Sequence, residues 1–295
     1  MESNFLTAIF LPLALFIIML GMGLSLTLDD FKRVFVEPKA VIIGLIAQLV
    51  MLPIIGYFLA LVFQLAPELA IGVMILATCP GGSTSNMITY LIKGNVALSI
   101  TLTAITSLVT IFTIPLLINL SMTKFMGEGV TLQLPIGKTI LQIAVITLIP
   151  ISLGMLIHYY SPKLATVFEK GVKWLSLFFL GIIIFGLLLK EKENVGNFFL
   201  QVGGVTLTLN ILTMILGYTL ASISNLDQSS RKSITVEVGI QNGTLAIAIA
   251  TTLLNMPNMA IPAAIYSLIM FVTSAIFGWL LGKNLILDYK KFPKN

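Results

Sequence analysis

Charged side chains are scarce in this chain of 295 residues, and their scarcity excludes most soluble classes. Aspartate, glutamate, lysine and arginine together make up 10% of the residues, against about a quarter in a typical soluble domain. The 17 basic residues are scattered and form no block of the kind that a nucleic-acid backbone requires. We therefore exclude a soluble globule and predict no nucleic-acid partner.

Cysteine and histidine are almost absent as well. Cys79 is the one cysteine and allows no disulfide within the chain, and His158 is the one histidine. A zinc site needs three or four ligands of these types or carboxylates close together. The sequence therefore predicts neither a disulfide framework nor zinc chemistry.

Long uncharged apolar runs dominate the rest of the chain, which is 57% hydrophobic with a mean hydropathy of +1.04. A helix needs about 20 residues to cross a hydrocarbon core of about 30 Å. Cutting the chain at charges and turn residues leaves nine such runs, so we predict an all-α, polytopic membrane protein with nine transmembrane helices. The predicted spans are 4–28, 40–66, 69–92, 97–122, 139–159, 174–189, 198–222, 233–254 and 259–281.

The basic residues predict the orientation of these spans. If the loops alternate across the membrane, 13 of the 17 basic residues lie on the side of the first loop, which holds Lys32, Arg33 and Lys39. Loops rich in lysine and arginine face the cytoplasm. We therefore predict a multi-pass protein of the cell (inner) membrane, with its amino terminus outside and its carboxyl terminus in the cytoplasm.

Two predicted spans carry features that a plain lipid-spanning helix does not tolerate. The third contains Pro80-Gly81-Gly82, which favours a break into two half-helices. The eighth contains Glu237, and no further charge follows between Val238 and Gly282. An intramembrane carboxylate indicates a functional site by default. At Pro80 the alternatives are a loop between two short membrane-dipping segments and a packing kink without a ligand. At Glu237 the alternative is a side chain that reaches water or pairs with Arg231 or Lys232.

The two features occupy matching places. By the predicted topology the third and eighth spans run in opposite directions, and each carries a polar pair followed by an apolar half-helix: Ser85-Asn86 in one, Gln241-Asn242 in the other. Interrupted segments in corresponding positions of two inverted halves are typical of a secondary transporter with its site at the membrane midplane. We therefore predict inverted-topology repeats with two broken crossing helices, the third and the eighth.

Further polar residues in apolar spans fit a cation site. Gln48 lies in the middle of the second span, and Ser99 and Thr103 share one face of the fourth. Hard cations prefer oxygen ligands of this kind. A single hydroxyl of this kind more often bonds to its own helix or packs against a neighbour, so the prediction depends on the whole set of polar residues.

Several functions remain open at this point. A proton-coupled or passive carrier of an organic anion would use Glu237 as a titrating group. An intramembrane hydrolase would need Ser83 or Ser85 as nucleophile, but it would lack a base, because His158 lies at a helix end and Glu237 is the only acid within the predicted spans. We therefore predict that the protein is not an enzyme. A sensor without transport is a further alternative.

Three segments together resemble the bile acid:sodium symporter family in its nine-span form: residues 80–86, 94–99 and 237–242. The resemblance covers nearly the whole chain. It implies a single transporter unit over residues 1–295, with a core domain (about 38–123 and 196–284) that moves against a panel domain (about 1–30 and 137–190). It also implies coupling of two sodium ions to an organic anion, which is either bile acid-like or a small carboxylate such as pantoate. We predict a monomer in the bilayer.

The resemblance also implies ligands, residue by residue. The first sodium ion is expected at Ser85, Asn86, Ser99, Thr103 and Glu237. The second is expected at Gln48 and Gln241, with Glu237 and the backbone oxygens of Val238 and Ile240. The acidic group of the substrate is expected at the half-helix ends, near Ser83, Thr84, Asn242 and Gly243.

Overall fold

A computed structural model describes residues 10–127, 135–190 and 195–291. These residues form helices and no strands, apart from one isolated antiparallel bridge between Gly81 and Gln241. The prediction of an all-α fold is confirmed for this part of the chain. Two π-helical segments, Ala47–Met51 and Ile249–Leu253, and one 3-10 turn, Pro257–Ala260, interrupt the α-helices. The α-helices are α1 (Leu11–Leu24), α2 (Leu28–Val36), α3 (Pro38–Ile46), α4 (Leu52–Val62), α5 (Pro67–Thr78), α6 (Ser83–Leu91), α7 (Val96–Met126), α8 (Ile136–Tyr160), α9 (Pro162–Lys190), α10 (Val195–Ile223), α11 (Gln228–Gly239), α12 (Gly243–Ala248) and α13 (Ile261–Lys291).

Five helical stretches in the described part of the chain are long and apolar enough to cross a membrane. They are Pro38–Val62, Val96–Met126, Ile136–Tyr160, Gly196–Ile223 and Pro257–Leu280. The pair α1 and α2 passes the same test together, although a bend of 59° separates the two helices. The protein is therefore a multi-pass membrane protein, while the count of nine spans stays a prediction.

Helix α7 has the two faces expected of a helix between lipid and protein. Phe112, Leu116 and Leu120 follow one another at four-residue spacing, and each is more than half exposed. Ile114 and Ile118, on another face of the same helix, are fully buried. An exposed apolar stripe of this length would promote aggregation in water, whereas in a bilayer it faces acyl chains.

The first predicted loop is helical. Residues 28–36 form α2, whose start is fixed by Thr27: its backbone N–H and its hydroxyl both donate to Asp30 Oδ2, at 2.7 and 2.8 Å. The exposed Phe35 and Val36 lie on a helix that also carries two acids and two bases. An amphipathic helix that is joined to a membrane-spanning helix by such a bend is typical of the membrane interface. The amino-terminal and carboxyl-terminal ends, 1–9 and 292–295, lie outside the described residues.

Helices α1, α8 and α9 pack on one another, and glycines bring α1 and α8 close together. A Cβ atom at Gly23 would overlap with the backbone oxygen of Ile151, and one at Gly154 would overlap with that of Leu20. Because only hydrogen atoms separate the two backbones there, α1 and α8 approach as closely as small-residue motifs allow in membranes. The other helices surround the two broken spans, so that the site described next lies away from lipid.

Candidate functional site

Two interrupted helices meet at the centre of the site. The first interruption, residues 79–82, separates α5 from α6, and the second, residues 240–242, separates α11 from α12. The two interruptions pair with each other through the Gly81–Gln241 bridge, in which the Asn242 N–H donates to the Pro80 oxygen at 3.0 Å. Backbone groups that lose their helical partners inside a membrane need others, and here each break supplies partners for the other.

Proline explains the first break. Pro80 has no N–H group to continue α5, and it forces the preceding residue out of the helical region; Cys79 is extended, with φ −70° and ψ 155°. The freed Cys79 oxygen accepts a hydrogen bond from Gln48 Nε2 at 3.2 Å. Helix α6 then begins after Gly82, without a side-chain cap.

The second break has no proline. Helix α11 ends at Gly239, and Ile240 is extended, with φ −114° and ψ 105°. Helix α12 starts at Gly243 with Asn242 as its cap, whose Oδ1 accepts from the Leu245 N–H at 3.0 Å. Pairing with the first break therefore determines where this helix stops.

A buried cluster of five side chains, which we name the carboxylate cluster, forms around Glu237. Glu237 Oε2 accepts hydrogen bonds from Ser85 Oγ at 2.7 Å and Ser99 Oγ at 3.0 Å, and Oε1 accepts from Thr103 Oγ1 at 2.5 Å. Asn86 Oδ1 lies 2.8 Å from Ser99 Oγ and 3.4 Å from Thr103 Oγ1. Glu237 is fully buried. The cluster unites the residues predicted for the first cation, taken from α6, α7 and α11.

The charge of this cluster lacks a counterion within the described part of the chain. No ion pair there involves Glu237, since the two ion pairs present are Lys32–Asp29 and Arg33–Glu37. A buried carboxylate without a cation is costly even when hydroxyls donate to it. The cluster can therefore accept a monovalent hard cation, because each hydroxyl can turn its lone pairs inward.

Gln48 and Gln241 form a second buried group beside the first break, which we name the glutamine pair. Gln48 Nε2 donates to Gln241 Oε1 at 2.8 Å, and Gln241 Nε2 donates to the Val238 oxygen at 2.8 Å. In the described contacts, Glu237 bonds to the carboxylate cluster rather than to this pair. The predicted second set is thus brought together at Gln48, Gln241 and Val238.

The position of Gln48 follows from a distortion of its helix. Gln48 lies in the π-helical segment Ala47–Met51, just before Pro53. A regular helix would use the N–H of residue 53 to bond the oxygen of Leu49, and proline has none. A π turn accommodates the mismatch by adding a residue to the turn, which changes the direction of the side chains in it.

The four residues predicted for the substrate lie at the starts of the two second half-helices, and three of them carry donor side chains. Ser83 and Thr84 are half-buried in the first turn of α6. Asn242 is buried, and its Nδ2 has no hydrogen-bond partner in the described structure. Gly243 is packed against α13, since a Cβ atom there would overlap with Ser267 Oγ. Ser83, Thr84 and Asn242 thus offer donors, whereas Gly243 serves close packing.

Comparison with known proteins identifies the family. A family model described as the Sodium Bile acid symporter family matches residues 12–198. The chain belongs to this family. The resemblance drawn from the three motifs is confirmed, and the chain is a member of a family of sodium-dependent transporters.

Relatives in this family come from bacteria, plants and animals. The "uncharacterized sodium-dependent transporter YocS" of Bacillus subtilis is 35% identical over 258 residues, which cover 88% of this chain and 78% of the relative. The "probable sodium/metabolite cotransporter BASS1, chloroplastic" of rice (Oryza sativa subsp. japonica) is 30% identical over 264 residues, covering 90% of this chain and 63% of the relative. "Sodium/bile acid cotransporter 4" of Homo sapiens is 29% identical over 244 residues, covering 82% and 55%. The chain thus spans well under two thirds of the human relative.

A hydrogen bond at one end of the site joins the two broken helices. Lys232 Nζ on α11 donates to the Ile92 oxygen at the end of α6, at 2.9 Å, where a cation also favours the helix dipole. Asp227 caps α11 by accepting from the backbone of Ser229 and Ser230. Partial burial raises the pKa of Asp227, but hydrogen bonds from the side chains and the backbone N–H groups of Ser229 and Ser230 outweigh it and leave the pKa below its usual range.

Three further buried residues lie near the site and were not predicted from the sequence. Thr89 Oγ1 lies 3.3 Å from Ser99 Oγ, one turn beyond Asn86. Asn210 Nδ2 and the Tyr266 hydroxyl both donate to the Gly239 oxygen, at 2.7 and 3.0 Å. The position of Asn210 in the middle of an apolar span was the available signal, whereas nothing local in the sequence distinguishes Tyr266.

Proposed function

We propose that the protein is a sodium-coupled symporter of an organic anion. The observation that carries the proposal is the fully buried Glu237 carboxylate, surrounded by neutral oxygen ligands and without a cationic side chain among the described ion pairs. Binding of sodium there supplies the missing charge. Membership in a family of sodium-dependent transporters supports the same reading.

The first sodium ion is assigned to the carboxylate cluster. One carboxylate, three hydroxyls and one amide oxygen give a donor set of hard oxygens with a net charge of −1, which suits a monovalent cation. No group of three or more acidic, histidine or cysteine side chains within metal-binding range occurs in the described residues. The low charge of the cluster favours sodium over a divalent ion.

The second ion is assigned to the glutamine pair. Gln48 Oε1 and Gln241 Oε1 are neutral oxygens in a buried site, and the Val238 oxygen lies next to them. Glu237 is the next residue before Val238 along α11, so its charge lies close to this second group. We propose that both ions share the Glu237 carboxylate, whose negative charge attracts each of them.

The substrate anion is assigned to the amino-terminal end of α6. The first N–H groups of a helix have no intrahelical partners, and the dipole of the helix favours negative charge there. The unpartnered Asn242 Nδ2 adds a donor from the second break. A bile acid or a small carboxylate such as pantoate would present its acidic group to these donors.

Transport requires that the crossing open alternately to the two sides of the membrane. We propose that α1, α8 and α9 form the panel, within 1–30 and 137–190, and that the core within 38–123 and 196–284 moves against it. The close glycine packing of α1 on α8 supports a panel that moves as a unit. Nine spans would place the two termini on opposite sides of the membrane, and the distribution of basic residues would place the amino terminus outside and the carboxyl terminus in the cytoplasm. A tag after Asn295 that is reachable from outside intact cells would contradict this topology.

Uptake into proteoliposomes tests the proposed function. A sodium gradient should drive accumulation of a labelled bile acid or pantoate at fixed pH, and an equal potassium gradient should not, because potassium is larger than the ion that the carboxylate cluster is proposed to hold. Uptake driven equally well by a proton gradient without sodium would instead support the proton-coupled carrier. Equilibration of the labelled anion across the membrane with no ion gradient would support a passive carrier.

Ser83→Trp tests the anion site. A bulky ring in the first turn of α6 should fill the space of the anion, so uptake should fall at least tenfold while sodium still stabilises the purified protein against heat. Ser83→Ala is the size control and should retain most of the uptake. If sodium stabilisation disappears together with uptake in the tryptophan variant, the crossing has been distorted. Unchanged uptake would mean that the anion binds elsewhere.

A further inference from the structure

Asn210 and Tyr266 hold a single backbone oxygen from two different helices. Asn210 Nδ2 on α10 and the Tyr266 hydroxyl on α13 donate to the Gly239 oxygen at 2.7 and 3.0 Å. Both side chains are fully buried. Gly239 is the last residue of α11, so its oxygen is one of those that a helix end leaves without a partner.

The two ends of the Asn210 amide differ: Nδ2 has a hydrogen-bond partner, whereas Oδ1 has none in the described structure. This oxygen is buried, and an unmet buried acceptor destabilises a fold. Helix α10 also comes so close that a Cβ atom at Gly239 would lie 2.5 Å from Met214 Cγ. The contact thus fixes the end of α11 tightly.

Fixing the Gly239 oxygen also fixes the direction of the next one. Ile240 is extended, and successive backbone oxygens along an extended segment point to opposite sides. If the Gly239 oxygen faces α10 and α13, the Ile240 oxygen faces the other break. The antiparallel bridge agrees, because a bond from the Asn242 N–H to the Pro80 oxygen sets the Ile240 oxygen opposite the Gly82 amide.

We propose that Asn210 and Tyr266 are positioning residues for the second cation. By clamping the Gly239 oxygen they turn the Ile240 oxygen toward the crossing, where the glutamine pair and the Val238 oxygen lie. This inference rests on the proposed function and assigns the residues that orient one of its two ion sites. Neither residue touches the cation.

Sodium titration of the purified protein tests the clamp. The thermal unfolding midpoint is measured against sodium concentration, with potassium added to constant ionic strength. Tyr266→Phe removes one donor and Asn210→Leu removes the other with little change in size. Each should raise the half-saturating sodium concentration about threefold to tenfold, the range expected for one buried hydrogen bond. The double variant should raise it further.

Matched variants separate positioning from general stability. Tyr218→Phe removes the same hydroxyl from a tyrosine of α10 that packs on Phe277 of α13. Thr206→Val removes a buried hydroxyl of α10 that bonds within its own helix, to the Val202 oxygen. Both should leave the half-saturating sodium concentration unchanged, whatever they do to the midpoint in potassium.

Three results are distinguishable. If Tyr266→Phe lowers the midpoint in potassium but binds sodium like Tyr218→Phe, the residues are merely structural and the clamp is refuted. If the double variant does not fold, Tyr266→Phe alone decides, because it changes one atom. If wild-type protein gains no stability from sodium over potassium, the proposed function itself fails, and the clamp fails with it.

Discussion

Replacing Glu237 by alanine is expected to abolish sodium-driven uptake and the stabilisation of the protein by sodium. Ser85, Ser99 and Thr103 all bond to this carboxylate, which is the charged member of the carboxylate cluster. At an effective dielectric constant of about 20, two unit charges 4 Å apart attract by about 4 kcal/mol. Loss of that attraction corresponds to nearly a thousandfold in sodium affinity.

The same variant should fold. An unpaired buried carboxylate costs free energy, and its removal relieves that cost, so we expect the unfolding midpoint in potassium to stay level or rise. Glu68→Gln is the control, since this acid lies in the first turn of α5 and bonds to the exposed Asn258. Sodium-driven uptake at the wild-type level in the Glu237 variant would refute the assignment of the carboxylate cluster.

A single methyl group at Gly81 is expected to weaken sodium binding at least tenfold. A Cβ atom there would overlap with Glu237 Oε1 and lie 2.8 Å from Cδ, whereas ordinary contacts begin at 3.4 Å. The carboxylate would have to withdraw, and its 2.5 Å hydrogen bond from Thr103 would break. Gly81→Ala should therefore raise the half-saturating sodium concentration in the thermal assay, with a smaller change of the midpoint in potassium.

The neighbouring glycine supplies a matched control. The nearest atom to a Cβ at Gly82 is the Gln241 oxygen, at 3.7 Å, so Gly82→Ala adds the same methyl group to the same loop without displacing the carboxylate. We expect near-normal sodium binding in this variant. Equal losses in both variants would show that the loop tolerates no side chain, and would remove the argument for contact between Gly81 and Glu237.

The composition and the runs of apolar residues were sufficient for the class of protein. The described residues are helical, and the family match confirms the resemblance that the three motifs carried. The helix break at Pro80 could be predicted because its cause is local: a residue without an N–H cannot continue a helix. The functional importance of Glu237 could be predicted because a carboxylate in an apolar span is energetically costly and therefore indicates a functional site.

Other features had a weaker local signal or none. Residues 28–36 form helix α2, although their charges predict the loop that follows the first span. The π turn at Gln48 depends on Pro53 further along the helix, a connection that helical periodicity does not reveal. The polar pair Gln241-Asn242 predicts a break in the eighth span, but without a proline the residue at which α11 ends, Gly239, depends on pairing with the first break, far earlier in the chain.

The sequence by itself determined that the chain lies in a membrane, that its third span breaks at Pro80, and that one carboxylate stands in an apolar helix. The tertiary structure decided which residues share that carboxylate. Ser85, Ser99 and Thr103 converge on Glu237, and Gln48 meets Gln241, because the two breaks bond to each other and bring α6 and α11 together against α7. Such contacts depend on backbone bonds between distant segments, and a linear pattern records only the side chains within one segment.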